Sequence, residues 1–284
     1  MNVLTRHGWL AIPILALTLS ACQQADDTSE SQPASSATGS AAPQQNQSRE
    51  QHRSLATTAI NRTLTQPECK SEPCATVELR SLVFDHDDVL SAELARRLLH
   101  MGAPMSESEA DGDQLPQTVE AYARDLFAQS KDANEGMPDP RPYAATLEAR
   151  EVDHHDNLLI LELNSYVHTG GAHGMPGTAY MVIDEKSRQT VTLDDMLKTG
   201  QKPAFEAALK TAWQRWHAQN EAGFSLDPDN WPFIPSDNAA PLSKGVAVTY
   251  NAYDLGPYAI GQPTLTIPYS DLEGILKLRF MPKN

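Results

Sequence analysis

Residues 168–174, HTGGAHG, carry the densest chemical signal in the chain, because His168 and His173 bracket a glycine-rich turn. Such a stretch fits a metal site, a phosphate-binding loop, a catalytic loop or a structural turn. A phosphate-binding loop is disfavoured. Its glycines would have to open a helix that faces the anion, whereas Pro176 and Gly177 follow here and the stretch contains no lysine.

A metal site would have to be built around His168 and His173, with further ligands from DHDD (85–88) or DHHD (153–156). Structural zinc takes about four ligands and catalytic zinc three with recognisable spacing. The sequence contains no HExxH motif. We therefore predict no cofactor and keep a metal-dependent hydrolase using the two histidines as the least favoured alternative.

Nucleophilic catalysis has no support, since the sequence has neither GxSxG nor SxxK, and we predict no catalytic residue. A structural turn is favoured instead. Gly170 and Gly171 supply backbone conformations that other residues avoid. If position 171 needs positive φ, Gly171→Val should lower stability by about 1–3 kcal/mol through backbone strain. We expect the histidines, His173 among them, to hydrogen-bond the turn shut, and a third glycine, Gly174, to close it.

The first 21 residues predict a secretory signal peptide. A short basic start precedes an apolar run at 10–19, which is about half the ~20 residues of a membrane span. The run ends in LSAC, which resembles the lipobox of bacterial lipoproteins. That resemblance implies lipidation of Cys22 and attachment to a membrane through acyl chains. Gln23 after the cysteine implies the outer membrane, facing the periplasm.

Residues 22–66 are rich in Gln, Ser, Ala and Pro and predict a flexible tether behind the lipidated cysteine. The whole chain has 22 basic and 37 acidic residues and a net charge of −15. Nucleic-acid binding needs basic residues to neutralise phosphates, so we predict no nucleic-acid partner. A cationic protein would be attracted to such a surface. Cys69 and Cys74 should form a disulfide in an oxidising compartment.

The remaining chain mixes strand and helix patterns without regular β-α-β alternation, which predicts an α+β fold. We expect two small mixed units with antiparallel sheets and packed helices, an N-terminal unit at 67–165 and a C-terminal unit at 166–284. Alternating or apolar runs predict strands at 77–84, 143–152, 158–167 and 178–184, and in the stretch after 245. Helical spacing predicts helices around Leu90–Leu98, Val119–Phe127 and Phe205–Trp216. Ser270 and Glu273 predict a capping box.

Two longer stretches resemble one family. They are SYVHTGGAHGMPGTAYMVIDEKSRQTVTLDDML (165–197) and YDLGPYAIGQPTLTIPYSDL (253–272). Both are similar to motifs in the extracytoplasmic domain of the lysozyme-sensing anti-sigma factor RsiV and in the non-catalytic N-terminal region of the peptidoglycan deacetylase PdaC. The resemblance implies a non-enzymatic module that faces the cell envelope. It also implies a PdaC-like first unit and an RsiV-like second unit.

We therefore expect a lipid-anchored envelope protein that binds a lysozyme-like muramidase or another cationic protein. The candidate contact is the loop around Tyr253, Pro257 and Tyr258, because two tyrosines and a proline-stiffened turn offer rigid aromatic area. The alternative is a peptidoglycan-binding or glycan-binding accessory lipoprotein that uses exposed aromatic rings, with Trp231 as the freest tryptophan. Helical spacing predicts that Trp213 belongs to the core.

Overall fold

The computed structural model describes residues 55–70, 73–103, 116–224 and 226–281. All of them belong to one compact unit, residues 50–284. The predicted signal peptide, Cys22, Gln23 and most of the predicted tether lie outside the described residues. In the described part, no helix has both the length and the apolar character needed to cross a membrane.

Six strands form a sheet in chain order. They are β1 (Thr57–Thr65), β2 (Thr76–Phe84), β3 (Ala144–His155), β4 (Leu158–His168), β5 (Met175–Asp184) and β6 (Gln189–Val191). Neighbours are antiparallel except β2 and β3, which are parallel. A parallel pair needs a long crossover, usually helical, and two helices lie between β2 and β3 in the chain.

These helices are α1 (Asp88–Met101) and α2 (Val119–Asn134). Asp87 caps α1 by accepting from the Leu90 N–H, and Thr118 caps α2 by accepting from the Ala121 N–H, which satisfies backbone donors that have no partner within the helix. The apolar faces of both helices pack against one face of the sheet and enclose the first hydrophobic core.

Strand β4 contributes to both hydrophobic cores of the unit. Leu159, Leu161 and Leu163 point into the first core, while Leu158 and Ile160 point into the second, on the opposite face of the sheet. Successive side chains of a strand alternate between the two faces. This explains why the run LLILEL is almost continuously apolar: it is buried on both sides.

The second core lies under α3 (Leu193–Met196), α4 (Lys202–Phe224) and a three-stranded antiparallel sheet. That sheet consists of β7 (Ala239–Leu242), β8 (Gly245–Thr249) and β9 (Thr264–Ile267). Helix α4 buries Phe205, Leu209 and Trp213 along one face. Three 3-10 turns complete the region, at Tyr258–Ile260, Tyr269–Leu272 and Leu278–Phe280.

Two asparagines fasten the small sheet to β5. Strand β6 covers only the last three residues of β5, which leaves backbone groups nearer the start of β5 without a strand partner on that side. Asn238 accepts from the Tyr180 N–H at 2.9 Å and donates to the Thr178 carbonyl at 2.9 Å. Asn251 accepts from the Thr178 N–H at 2.9 Å. Side chains thus replace a missing strand.

The DHHD stretch joins the two sheets at another point. Asp153 accepts from the Ser243 N–H at 2.7 Å, and the His155 Nε2 lies 2.7 Å from the Pro241 carbonyl oxygen. We considered these residues as extra metal ligands. In the structure, Asp153 and His155 lie at the end of β3 and hold the backbone of Pro241 in β7 and of Ser243 just after it.

The α+β prediction is confirmed by the two sheets and the packed helices. Two boundaries differ from the sequence prediction. Strand β1 occupies residues 57–65, which we assigned to the tether, because Ile60 and Leu64 pack against the first core. The predicted border between 165 and 166 falls inside β4, because both cores share that strand.

Two local predictions near the C-terminus also need correction. Ser270 and Glu273 form no capping box, because a 3-10 turn that lacks a side-chain cap begins after Pro268. A capping box is found instead at Thr192 and Asp195 before α3. Strand β7, at Ala239–Leu242, was not predicted.

Candidate binding site

The HTGGAHG turn connects β4 to β5, and its left-handed residue is Gly170, with φ of 78°. A Cβ on Gly170 would approach the Arg141 carbonyl oxygen to 3.3 Å, whereas one on Gly171 would meet only the His173 carbonyl oxygen, at 3.7 Å. The condition that we attached to Gly171, a positive φ, is therefore met by Gly170 and not by Gly171. This turn has one left-handed glycine. Because the two residues are identical in type, the sequence does not indicate which of them adopts that conformation.

His168 closes this turn with its own ring. Its Nδ1 accepts from the Gly170 N–H at 3.3 Å, so the ring proton belongs on Nε2, which lies 3.2 Å from the Gly171 carbonyl oxygen. Both ring nitrogens are thus used by the backbone of the turn.

The two sequence motifs meet at Gly174. Its N–H donates to the Tyr166 hydroxyl at 3.0 Å, and its carbonyl accepts from the Tyr258 hydroxyl at 2.9 Å. A Cβ at this position would lie 2.5 Å from the Tyr166 ring. Glycine is therefore required at 174 for close approach of an aromatic ring, not for an unusual φ.

Around Gly174 the structure assembles Tyr166, His173, Tyr253 and Tyr258, here called the tyrosine–histidine cluster. The rings of His173 and Tyr258 stack with centroids 3.8 Å apart, and those of Tyr253 and Tyr258 are tilted at 5.7 Å. The His173 Nδ1 lies 3.1 Å from the Gly174 carbonyl oxygen. His173 Nε2 is then free to accept from the Tyr253 hydroxyl, 3.5 Å away.

The cluster favours a neutral Tyr258. Burial raises the pKa of Tyr258 above its ordinary value, and the neighbouring Tyr166 hydroxyl raises it further. Its hydroxyl therefore keeps its proton at physiological pH and remains a donor to Gly174.

Tyr253 combines exposure with backbone strain. It is 45% exposed and has φ of 72°, a conformation that is uncommon for a bulky residue. The Asn251 N–H donates to the Asp254 carboxylate at 2.7 Å across this bend, which holds it in place. Strained residues concentrate at functional sites, and here the strain presents a tyrosine ring to solvent.

The other predicted contact residues have different surroundings. Pro257 is half-buried and begins the 3-10 turn that carries Tyr258. Trp231 is half-buried in the connection between α4 and β7, and in the part of the chain that the structure describes no ring contact joins it to the cluster. Trp213 is buried beside Phe233. The structure brings Tyr253, Pro257 and Tyr258 together and leaves Trp231 apart.

Tyr166 was not among the candidate residues, although it lies two residues before His168. On the strand, it is 42% exposed, and its hydroxyl anchors the turn. The sequence offered one indication of this role, a tyrosine just before the turn in SYVHTGG. A tyrosine at that position is equally typical of an ordinary strand, so the sequence alone did not single it out.

A shallow depression of about 450 Å³ includes Thr169 and Gly170 of the turn in its lining. The lining also includes Asn134, Met137, Arg141 and Tyr143. Among the described residues, no group of three or more His, Cys, Asp or Glu side chains is placed to hold a metal ion.

The predicted disulfide between Cys69 and Cys74 is confirmed, with the two Cα atoms 6.0 Å apart. It lies in the connection between β1 and β2. A backbone hydrogen bond from Gln66 to Ala75, 2.9 Å long, spans the same connection. The crosslink therefore holds the β1–β2 hairpin closed at one end.

One protein-family model, described as a protein of unknown function (DUF3298), matches residues 194–270. The matched segment runs from α3 into the 3-10 turn after β9, and it includes Tyr253 and Tyr258. No curated protein matches the chain.

Solved structures extend the likeness to most of the chain. A DUF3298 family protein from Pseudomonas aeruginosa PAO1 is 31% identical, with a TM-score of 0.70 over 82% of this chain and 99% of that one. A member of the same family from Bacteroides fragilis NCTC 9343 is 20% identical, with a TM-score of 0.60 over 78% of this chain and 94% of that one. The second likeness shows the fold alone.

Proposed function

This chain belongs to the DUF3298 family, and we propose that it is a non-enzymatic binding protein of the cell envelope. In this proposal a lipid on Cys22 holds it to the outer membrane, and the tyrosine–histidine cluster contacts a cationic protein of the lysozyme-like muramidase class. The RsiV-like and PdaC-like character of its motifs belongs to the same proposal.

The observation that carries the proposal is the convergence of the two motif loops at Gly174. Two stretches about 80 residues apart in the chain build a single surface with exposed rings of Tyr166 and Tyr253. Rigid aromatic side chains on loops held by a scaffold are typical of binding surfaces. The Gly174 N–H holds the Tyr166 hydroxyl, and the Tyr253 ring lies against Tyr258, whose hydroxyl donates to the Gly174 carbonyl. Both rings are therefore positioned before any partner arrives.

Charge supports a cationic partner. The chain has a net charge of −15, and such a field accelerates encounter with a basic protein. Steering of this kind is screened beyond about 8 Å at physiological salt. We therefore expect added salt to slow association, while the buried aromatic contacts keep a residual affinity.

A second candidate is a glycan strand of peptidoglycan, and one observation favours it. Glu162, Asn164 and Tyr166 alternate along β4 on the same face, over about 13 Å at strand spacing. Arg150 bonds Glu162 at 2.6 Å, and Asn164 bonds it at 3.0 Å. Planar polar groups in line with an exposed ring are suited to sugar hydroxyls and sugar faces.

Titration of residues 50–284 against c-type lysozyme and against purified sacculi separates the two candidates. The proposal predicts lysozyme binding that weakens from low to physiological salt, mainly through the association rate. Tyr253→Ala should reduce this binding, while Leu278→Ala, a matched truncation at an exposed aliphatic residue, should not. Binding to sacculi alone would favour the glycan candidate, and binding to neither would refute both.

Anchoring needs its own experiment. Cys22→Ser in the full chain should release the protein into a soluble envelope fraction or leave an unprocessed precursor. A mature Cys22→Ser protein that still partitions into detergent would contradict the lipid anchor.

A further inference from the structure

Strand β1 forms one edge of the large sheet, and its outer side pairs with no other strand in the described residues. It is nine residues long and contains neither proline nor lysine, and its register with β2 is continuous. Proteins usually protect such an edge with short strands, charged side chains, proline or bulges. On β1 the one charge is Arg62, which is paired with Glu120. The opposite edge follows that rule, because β6 has only three residues.

The backbone groups that face outward on β1 can be identified. Gln66 N–H donates to the Ala75 carbonyl, and Asp85 N–H donates to the Ala56 carbonyl, in the register of the β1–β2 pair. Hydrogen-bonded pairs alternate along an antiparallel ladder, so the even-numbered residues of β1 bond to β2. The odd-numbered residues, Thr57 to Thr65, present their N–H and C=O groups outward.

The strand is tied to the rest of the fold at both ends. Before the strand, Leu55 is buried, and its N–H donates to the Glu185 carboxylate at 2.9 Å. After the strand, the disulfide closes the hairpin. Ile60 and Leu64 pack against the first core. Little ordering is therefore needed before another strand can pair with it.

We propose that β1 pairs with β1 of a second copy of this chain, antiparallel and centred on Asn61, to make one continuous sheet across a two-fold axis. In this register all nine residues are paired and Asn61 faces Asn61 of the second copy. Arg62 faces Ile60 and not another arginine. The inference is independent of the proposed function.

The charge within β1 is compatible with pairing to a second copy, although the chain as a whole is acidic. The chain carries a net charge of −15, yet residues 55–67 contain no acidic residue. The one charged residue of β1, Arg62, forms an ion pair with Glu120 on α2. Self-pairing at this edge therefore brings two strongly acidic molecules together along a stretch where like charges do not face each other.

A charge-reversal pair tests the register. Asn61→Asp and Asn61→Lys each place like charges opposite each other in a self-pair, which destabilises cross-strand pairs. Sedimentation of residues 50–284 should show a concentration-dependent dimer for the native sequence. Each variant alone should dissociate several-fold more readily, and their equal mixture should recover the dimer. A native protein that stays monomeric up to hundreds of micromolar would overturn the proposal, as would a mixture that does not recover.

Cysteine crosslinking gives a second, geometric readout. Facing Asn61 residues would have Cα atoms about 5.5 Å apart, within disulfide reach, so Asn61→Cys should form a covalent dimer under mild oxidation. Thr63 would face Ala59, with the two Thr63 Cα atoms about 13 Å apart, so Thr63→Cys is the matched control and should not crosslink. Equal crosslinking of both variants would rule out this register.

Discussion

The first core lies under long regular elements, α1 and α2 on one side and strands of nine to twelve residues on the other. The second core is covered by α4, but also by three strands of four or five residues and by 3-10 turns. Asn238 and Asn251 join its small sheet to β5 by bonding backbone groups. One core depends on periodic apolar patterns, while the other depends on individual polar contacts as well.

This difference locates the candidate site. Tyr253 and Tyr258 lie on a loop between β8 and β9 of the small sheet, whereas Tyr166 and His173 come from the large sheet and its turn. A long loop can present strained and exposed rings because the strands on either side are fixed. The region matched by the family model, residues 194–270, includes this loop.

The strongest predicted effect concerns the strand that both cores share. Ile160 and Leu161 are fully buried neighbours that point into different cores. Ile160→Ala and Leu161→Ala should each lower the free energy of unfolding by about 2–5 kcal/mol. Because β4 links the cores, both variants should shift tryptophan fluorescence and far-UV circular dichroism together in a denaturant titration.

Tryptophan fluorescence reports on the region of the second core. Residues 50–284 contain three tryptophans, and all lie in α4 or in the connection after it: Trp213, Trp216 and Trp231. If Leu161→Ala shifted the dichroism transition and left the fluorescence transition in place, the two cores would be independent units. The sequence-predicted border near residue 165 would then regain support.

The asparagine contacts should have the next largest effect. Asn238→Ala leaves the Tyr180 N–H and the Thr178 carbonyl without their partners, which should lower the free energy of unfolding by about 2–3 kcal/mol. Asn238→Asp keeps the acceptor and loses the donor, and we expect an intermediate loss. Equal stability of the native protein and Asn238→Ala would show that the small sheet is held by apolar packing alone.

The same contrast explains what the sequence could predict. The leucines of α1, the alternation in β2 and the apolar run of β4 follow period rules, so those elements were predicted within a few residues. Strand β7 was missed because AAPL has no recognisable alternation. The roles of Asn238 and Asn251 depend on which backbone groups β6 leaves uncovered, which no local pattern encodes.

The candidate site was predictable in part for the same reason. Glycines and aromatic residues identified both loops, and a family resemblance linked them. The contact between His173 and Tyr258 depends on the tertiary fold, so the sequence could not predict it. Gly170 and Gly171 are also indistinguishable by type. Only the φ of the folded backbone shows that Gly170 is the left-handed residue.

Glycine substitutions should have a smaller effect and should be restricted to one position. Gly174→Ala would force a Cβ to within 2.5 Å of the Tyr166 ring, and such overpacking should lower the free energy of unfolding by about 1–3 kcal/mol. Gly171→Ala, with only an ordinary contact at 3.7 Å, is the matched control and should be nearly neutral. Thermal denaturation of both variants checks this, and a larger loss for Gly171→Ala would contradict the described turn.

Alkaline pH should weaken the second core gradually. Burial raises the pKa of Tyr250 and of Tyr269, whose hydroxyls donate to the carbonyls of Ile234 and Leu242. A raised folded-state pKa means that the stabilisation is complete below about pH 10, the unfolded value, and declines above it. Urea midpoints should fall with rising pH in that range. Tyr269→Phe should make the decline shallower, and an unchanged slope would contradict this origin.

We propose that the strained loop presents Tyr253 to a partner. Glycine at position 253 relieves a φ of 72° and removes the ring, so one substitution separates stability from binding. Calorimetric titration of residues 50–284 with c-type lysozyme, run alongside thermal denaturation, measures both properties. We expect Tyr253→Gly to be at least as stable as the native protein and to bind several-fold more weakly. Native affinity in a folded Tyr253→Gly protein would contradict the claim.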